Sequence, residues 1–172
     1  MQKFDFKGSA EYAVNYMNGV VKGFENMVNV RADQIKSGEL EKTPVLEIGK
    51  MTLYHYTPLV EESQLQETPM LITYAMVNKQ YMMDLQPDRS VIKSFLEKGI
   101  DTYIIDWGYP AKEDMYITLE DVIEWYMDDC VEYIRKETGK EQITLLGVCQ
   151  GGTFSTIYTA IHQDKIKNFV SM

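Results

Sequence analysis

The residues best suited to do chemistry are Gly147-Val148-Cys149-Gln150-Gly151-Gly152. They follow the apolar run Ile143-Thr144-Leu145-Leu146 and precede an amphipathic stretch that reaches about His162. A cysteine in G-x-C-x-G between a buried strand and a helix has the form of a nucleophile elbow, with a thiol in the usual serine position. Such a turn strains the backbone of the nucleophile and aims its side chain off the strand end. Glycines two before and two after it leave room for neighbouring chain. The helix start behind the sulfur offers N–H groups and a positive dipole end, which favour a thiolate. The N–H of Gln150 is positioned to donate to an oxyanion. The plainer reading makes Cys149 a small apolar residue ahead of a glycine turn.

A thiol nucleophile needs a base, normally a histidine oriented by an acid. The chain has His55 and His162. His162 lies near the far end of the helix that Cys149 opens, roughly 20 Å away at the helical rise per residue. His55 sits in an N-terminal hairpin between Tyr54 and Tyr56, where nothing directs it to the elbow. In elbow folds the acid and the histidine follow the nucleophile, so both are expected beyond Met172. A second oxyanion donor is expected in the loop after the run Met70–Met76, near Val77 and Asn78. Cys130 falls on the apolar stripe of a helix and reads as core. Asp106-Trp107-Gly108 closes a strand at an edge that can face a crevice, although a strand-end turn with a packed tryptophan explains it as well.

The elements that must position these residues are legible in the hydrophobic pattern. Residues 10–30 carry Tyr12, Tyr16, Val20, Phe24, Met27 and Val28 at helical spacing. This stripe would pack on the main domain or on a partner. Residues 31–43 are polar and read as a connection. Two strands, Val45–Ile48 and Met51–Tyr56, flank a tight turn at Gly49-Lys50. Met70–Met76, Thr102–Ile105 and Ile143–Leu146 are near-continuous apolar runs, the mark of strands covered on both faces. Between them lie a helix turning Val91, Ile92, Phe95 and Leu96 inward and stopped by Gly99, and another opened by Thr118-Leu119-Glu120-Asp121 in capping-box spacing. That second helix is expected to bury Leu119, Val122, Ile123, Tyr126, Cys130 and Ile134 and to end at Gly139. Strands alternating with helices from residue 69 onward predict an α/β fold with a mostly parallel sheet and flanking helices. Residues 1–43 then form an N-terminal helical segment and connection, and 44–172 the sheet domain. The sequence stops inside an apparent core strand, Lys167–Met172, so a truncated chain is expected, prone to aggregate through an unpaired apolar edge.

Composition sets outer bounds. Apolar residues make up 45% and charged residues 25%, with a net charge of -9. This acidity argues against nucleic acid, whose binding needs a basic face, and supplies no attraction to an anionic membrane. No stretch approaches the roughly 18 apolar residues of a membrane span, and the start lacks a signal-peptide core. The two cysteines form neither a disulfide framework nor a zinc spacing. A cytoplasmic protein with reduced thiols is expected, with no metal and no cofactor.

Taken together, Leu71-Ile72-Thr73-Tyr74-Ala75-Met76-Val77-Asn78-Lys79 with Tyr81 and Asp84, Asp88-Arg89-Ser90, Ile105-Asp106-Trp107-Gly108-Tyr109-Pro110 and Leu145–Gly152 resemble the catalytic subunit of class III polyhydroxyalkanoate synthases. The resemblance covers most of the chain and is densest over 69–172. Gln150 is closer to class III than to class IV, where methionine often holds that place. The resemblance implies the N-terminal half of an α/β-hydrolase fold, truncated after the elbow helix and the start of the next strand. It implies an acyltransferase that polymerises (R)-3-hydroxyacyl-CoA, mainly 3-hydroxybutyryl-CoA, and releases CoA. Cys149 would carry the thioester, and the N–H groups of Val77 and Gln150 would hold the oxyanion. Implied partners are acyl-CoA, a non-catalytic second subunit, a second copy and the surface of a cytoplasmic polyester granule. The chain lacks the family's aspartate and histidine and would be inactive alone. A cysteine thioesterase or hydrolase of the same fold, or a non-catalytic remnant, are the other readings.

Overall fold

The computed structural model describes residues 6–29 and 37–172. They belong to two compact units that divide between Lys36 and Ser37. The first contains helix α1 (Phe6–Asn29). Its Tyr12, Tyr16, Val20, Phe24, Met27 and Val28 are solvent-exposed within that unit. Residue 30 of the expected helix and residues 31–36 of the expected connection lie outside the described residues.

In the second unit the chain runs through β1 (Lys42–Ile48), β2 (Met51–Tyr56), β3 (Met70–Thr73), a small hairpin of β4 (Asp84–Gln86) and β5 (Arg89–Ser90), and α2 (Val91–Leu96). It continues through β6 (Thr102–Asp106), π-helical turns over Asp121–Met127 leading directly into α3 (Asp128–Thr138), β7 (Ile143–Gly147), α4 (Gln150–Ile161) and β8 (Ile166–Ser171). The sheet order is β1-β2-β6-β3-β7-β8. β6, β3, β7 and β8 are mutually parallel, while β1 and β2 join antiparallel at one side. The first strand starts earlier than expected, because a register shift between Pro44 and Leu46 accommodates the proline on an edge strand.

The chain places β6 on one side of β3 and β7 on the other. The order therefore reverses at β3, and in open α/β sheets the crevice beyond the carboxyl ends at such a reversal is where ligands bind. Alternation along the strands sends Leu71, Tyr103 and Leu145 to the face covered by α3 and α4. Ile72, Ile104 and Leu146 go to the face covered by α2.

Three local expectations differ from the structure. The apolar run at Met70 forms a strand only as far as Thr73, since its last residues turn away to make other bonds described below. Ser90, whose hydroxyl accepts from Lys93 N–H at 3.0 Å, caps α2 and leaves Val91 exposed at the first position. Leu119 is exposed too: it lies in the capping turn ahead of the helix core and faces a cleft. The capping box itself forms, with Asp121 accepting from Thr118 N–H at 2.7 Å and Thr118 Oγ1 accepting from Asp121 N–H at 3.1 Å. Among the described residues no helix is long and apolar enough to cross a membrane.

Candidate active site

Cys149 follows β7 and immediately precedes α4, with φ 57 and ψ -125. Among the described residues it is the one non-glycine with positive φ. An L-residue in such a conformation costs about 1–3 kcal/mol and persists where surrounding contacts fix it. Four backbone bonds do so here. Val148 N–H donates to Thr73 O at 2.9 Å, Cys149 N–H to Met172 O at 2.8 Å, Met172 N–H to Gly147 O at 2.9 Å, and Gly152 N–H to Cys149 O at 2.9 Å.

The flanking glycines are required by space. A Cβ on Gly147 would lie 2.6 Å from Gly151 O, and one on Gly151 only 2.0 Å from Thr73 O. Both obstacles are backbone and cannot step aside. The sharp turn leaves the Cys149 thiol exposed, whereas Cys130 is buried as expected. Burial pushes the Cys130 thiol up, with the nearby Asp129 carboxylate adding to the effect.

The other expected oxyanion element meets the elbow directly. β3 and β7 are neighbours, so the loop leaving β3 runs beside the start of α4. Gln150 Oε1 accepts from Met76 N–H at 3.1 Å. The next residue, Val77, is exposed at 82%, and the turn bond in this loop is made by Asn78 N–H to Ala75 O at 3.2 Å. As the first residue of α4, Gln150 has no intrahelical acceptor for its own N–H. Val77 and Gln150 therefore stand on adjoining segments at one end of the sheet.

The Asp106–Tyr109 segment leaves the neighbouring strand β6 and braces the same loop. Trp107 Nε1–H donates to Tyr74 O at 2.9 Å, and the indole packs edge-on against Phe154 with ring centres 6.0 Å apart. Lys79 Nζ donates to Gly108 O at 2.8 Å, lies 3.8 Å from Asp106 Oδ1 and sits 3.1 Å above the Tyr109 ring centre. Sequence reasoning missed Lys79 and the Gln150 side chain, because their partners lie far away along the chain. A lysine one residue beyond the expected oxyanion loop was the available signal.

A cleft of about 510 Å³ opens against Gln150. Its walls are largely apolar, formed by Met51, Met76, Trp107, Val122, Tyr126 and Phe154. Lys50, at the hairpin turn, bonds Glu113 at 2.8 Å and Asp114 at 2.7 Å on its rim. These hydrogen bonds hold both carboxyls below their ordinary range and Lys50 above its own.

The two histidines are held elsewhere. His55 Nε2 is 2.6 Å from Asp101 Oδ1, and its ring stacks on Tyr103 at 4.2 Å. Both partners are at the amino end of β6, so a strand's length of roughly 15 Å separates His55 from the end where Cys149 stands. His162 caps the far end of α4 and lies 3.2 Å from Glu124 Oε2.

Comparison with known proteins agrees with this geometry. The family described as alpha/beta hydrolase fold matches residues 71–172. The family described as poly-beta-hydroxybutyrate polymerase (PhaC) N-terminus matches residues 40–95. The poly(3-hydroxyalkanoate) polymerase subunit PhaC of Allochromatium vinosum is 44% identical over 159 residues, which are 92% of this chain and 44% of that protein. The protein of the same name from Synechocystis is 43% identical, over 92% of this chain and 42% of its own length. The chain thus spans under half the length of these relatives. Among solved structures, Francisella virulence factor BioJ superposes with a TM-score of 0.56 at 15% identity, covering 87% of this chain and 49% of that one. The thioesterase domain from the curacin biosynthetic pathway gives 0.54 at 12% identity, covering 77% and 43%. At such identities these two speak to the fold alone. With more than half its length matched, the chain belongs to the alpha/beta hydrolase fold family, and its residues 40–95 also match the PhaC N-terminus model.

Proposed function

We propose that the chain is the elbow-bearing part of a polyhydroxyalkanoate synthase of the class III type, which polymerises (R)-3-hydroxyacyl-CoA, 3-hydroxybutyryl-CoA above all, through a thioester on Cys149. The observation that carries this reading is the exposed Cys149 in a strained turn at a helix start, beside the loop after β3 whose Met76 N–H meets Gln150. A base removes the thiol proton, and the sulfur attacks the acyl carbonyl carbon. A C–S bond forms while the carbonyl pair moves onto oxygen. The N–H groups of Val77 and Gln150 hold that oxyanion. Its collapse breaks the bond to the CoA sulfur, which leaves as a thiolate and takes up a proton. The hydroxyl of the next monomer, giving its proton to a base, then attacks the Cys149 thioester; its O–C bond forms, the C–S bond to Cys149 breaks, and the thiolate returns. The apolar cleft beside Gln150 suits the acyl chain.

Neither His55 nor His162 reaches the thiol, so the base and its orienting carboxylate come from residues other than those described. The name of the relatives, a polymerase subunit, supports an assembly with a second, non-catalytic subunit. Pairing of two copies and action at a cytoplasmic polyester granule belong to the same reading. The test is made on the intact protein of the source organism with (R)-3-hydroxybutyryl-CoA. Polymer and free CoA are expected, and Cys149→Ala should abolish both. Free hydroxy acid without polymer would make the protein a hydrolase instead, and turnover by the Cys149→Ala protein would overturn the thioester.

A further inference from the structure

We infer that the Gln150 side chain is a positioning residue for the oxyanion site, holding in register the loop that carries the other donor. The inference rests on the proposed acyl transfer at Cys149. Loop 74–79 leaves the sheet after Thr73 and has no strand partner of its own. A free loop of this kind is among the mobile parts of a fold. Three contacts pin it: the Trp107 indole on Tyr74 O at 2.9 Å, Gln150 Oε1 on Met76 N–H at 3.1 Å, and Lys79 Nζ on Gly108 O at 2.8 Å. Val77 lies between the second and third of these, one peptide from the atom that Gln150 holds.

The anchor has a specific consequence because of where it originates. Gln150 is the residue whose backbone N–H points from the helix start toward the same oxyanion. One residue therefore supplies the first donor through its main chain and fixes the second through its side chain, so both donors move with the first turn of α4. A donor displaced by about an ångström can cost on the order of a hundredfold in rate. The contact needs a side-chain acceptor at this length. Leucine offers none, and the thioether of methionine is a weak one.

The experiment compares Gln150→Leu and Gln150→Met with the wild type in the intact protein. We expect kcat for CoA release from (R)-3-hydroxybutyryl-CoA to fall about tenfold to a hundredfold with KM changed by less than about twofold. The Met76 amide should exchange with solvent faster. Alkylation of Cys149 by iodoacetamide should keep its wild-type rate, because displacement at a saturated carbon develops no oxyanion. An unchanged kcat, or an unchanged exchange rate at Met76, would overturn the inference. So would slowed alkylation with raised KM, the signature of a collapsed elbow. Failure of the underlying reading shows separately, as CoA release that survives Cys149→Ala.

Discussion

Trp107 donates its indole N–H to the Tyr74 carbonyl at 2.9 Å, tying the end of β6 to the point where the chain leaves β3. The same ring packs edge-on against Phe154 of α4 and forms part of the cleft wall. Trp107→Phe preserves most of the packing and removes the donor, so a loss of about 1 kcal/mol of stability is expected. Trp107→Ala also empties a buried volume and should cost about 3–5 kcal/mol. Chemical denaturation of the two variants separates the terms, and near-equal losses would contradict the assignment.

The elbow glycines should tolerate no side chain. In Gly151→Ala the new methyl would sit 2.0 Å from Thr73 O, and in Gly147→Ala 2.6 Å from Gly151 O. Each is expected to cost about 3 kcal/mol or more. Gly19, in the middle of α1, meets nothing within 4 Å. Gly19→Ala should raise helix stability by about 1 kcal/mol through propensity alone. Melting curves of the three proteins check the contrast.

Cys149→Gly would gain stability while removing the proposed nucleophile. It removes the sulfur and relieves the positive-φ strain at the one position, among the described residues, where a non-glycine bears it. Strain relief of about 1–3 kcal/mol outweighs the roughly 0.5–1 kcal/mol of extra unfolded-state entropy. The variant should therefore melt no lower than the wild type, and a lower melting temperature would mean the turn is unstrained. In the unsubstituted protein, iodoacetamide should label Cys149 in the native state and reach Cys130 only after unfolding, as mass spectrometry would record.

Behind the site, Lys165 Nζ bonds Asp128 at 2.6 Å and Glu132 at 2.9 Å, while Tyr158 donates to Asp128 at 2.6 Å. Arg135 also bonds Glu132, and the His162 ring packs at a tilt against Tyr158. Burial acts to raise the Asp128 carboxyl, but the bonds from Lys165 and Tyr158 outweigh it and hold the group below its ordinary 3.8. Its contribution is thus present above that value and lost as pH falls through the lower folded pKa. Burial acts to lower Lys165, and its bonds to Asp128 and Glu132 outweigh that and hold it above 10.5. This contribution is present below 10.5 and lost as pH rises through the higher folded pKa. Lys165→Met should cost about 1–3 kcal/mol at neutral pH and flatten both limbs of the stability profile. An unchanged acid limb would contradict the pairing.

The parts legible in the sequence share a local signature. The G-x-C-x-G turn reports its own steric demands. Leu71-Ile72 and Ile104-Ile105 read as buried strands because both of their faces are covered. Gly139 marks a helix end. What escaped reading depends on which strands become neighbours. No local pattern says that β3 lies beside β7, yet that adjacency brings Met76 to Gln150, 74 residues away along the chain. The strand at Met70 was overestimated because Ala75 and Met76 are apolar, although they serve the loop and the cleft. Leu119 misled similarly: an apolar residue in a capping turn can face a ligand cleft as readily as a core.

The bonds joining Cys149 N–H to Met172 O and Met172 N–H to Gly147 O give the turn at Cys149 an order of assembly. The turn is made before Met172, the residue just past β8 that supplies both of these clamps. On a ribosome the sulfur would emerge on a slack hinge and acquire its aim only when the following strand had docked. The strained shape of the turn would then be fixed only once β8 had paired with β7.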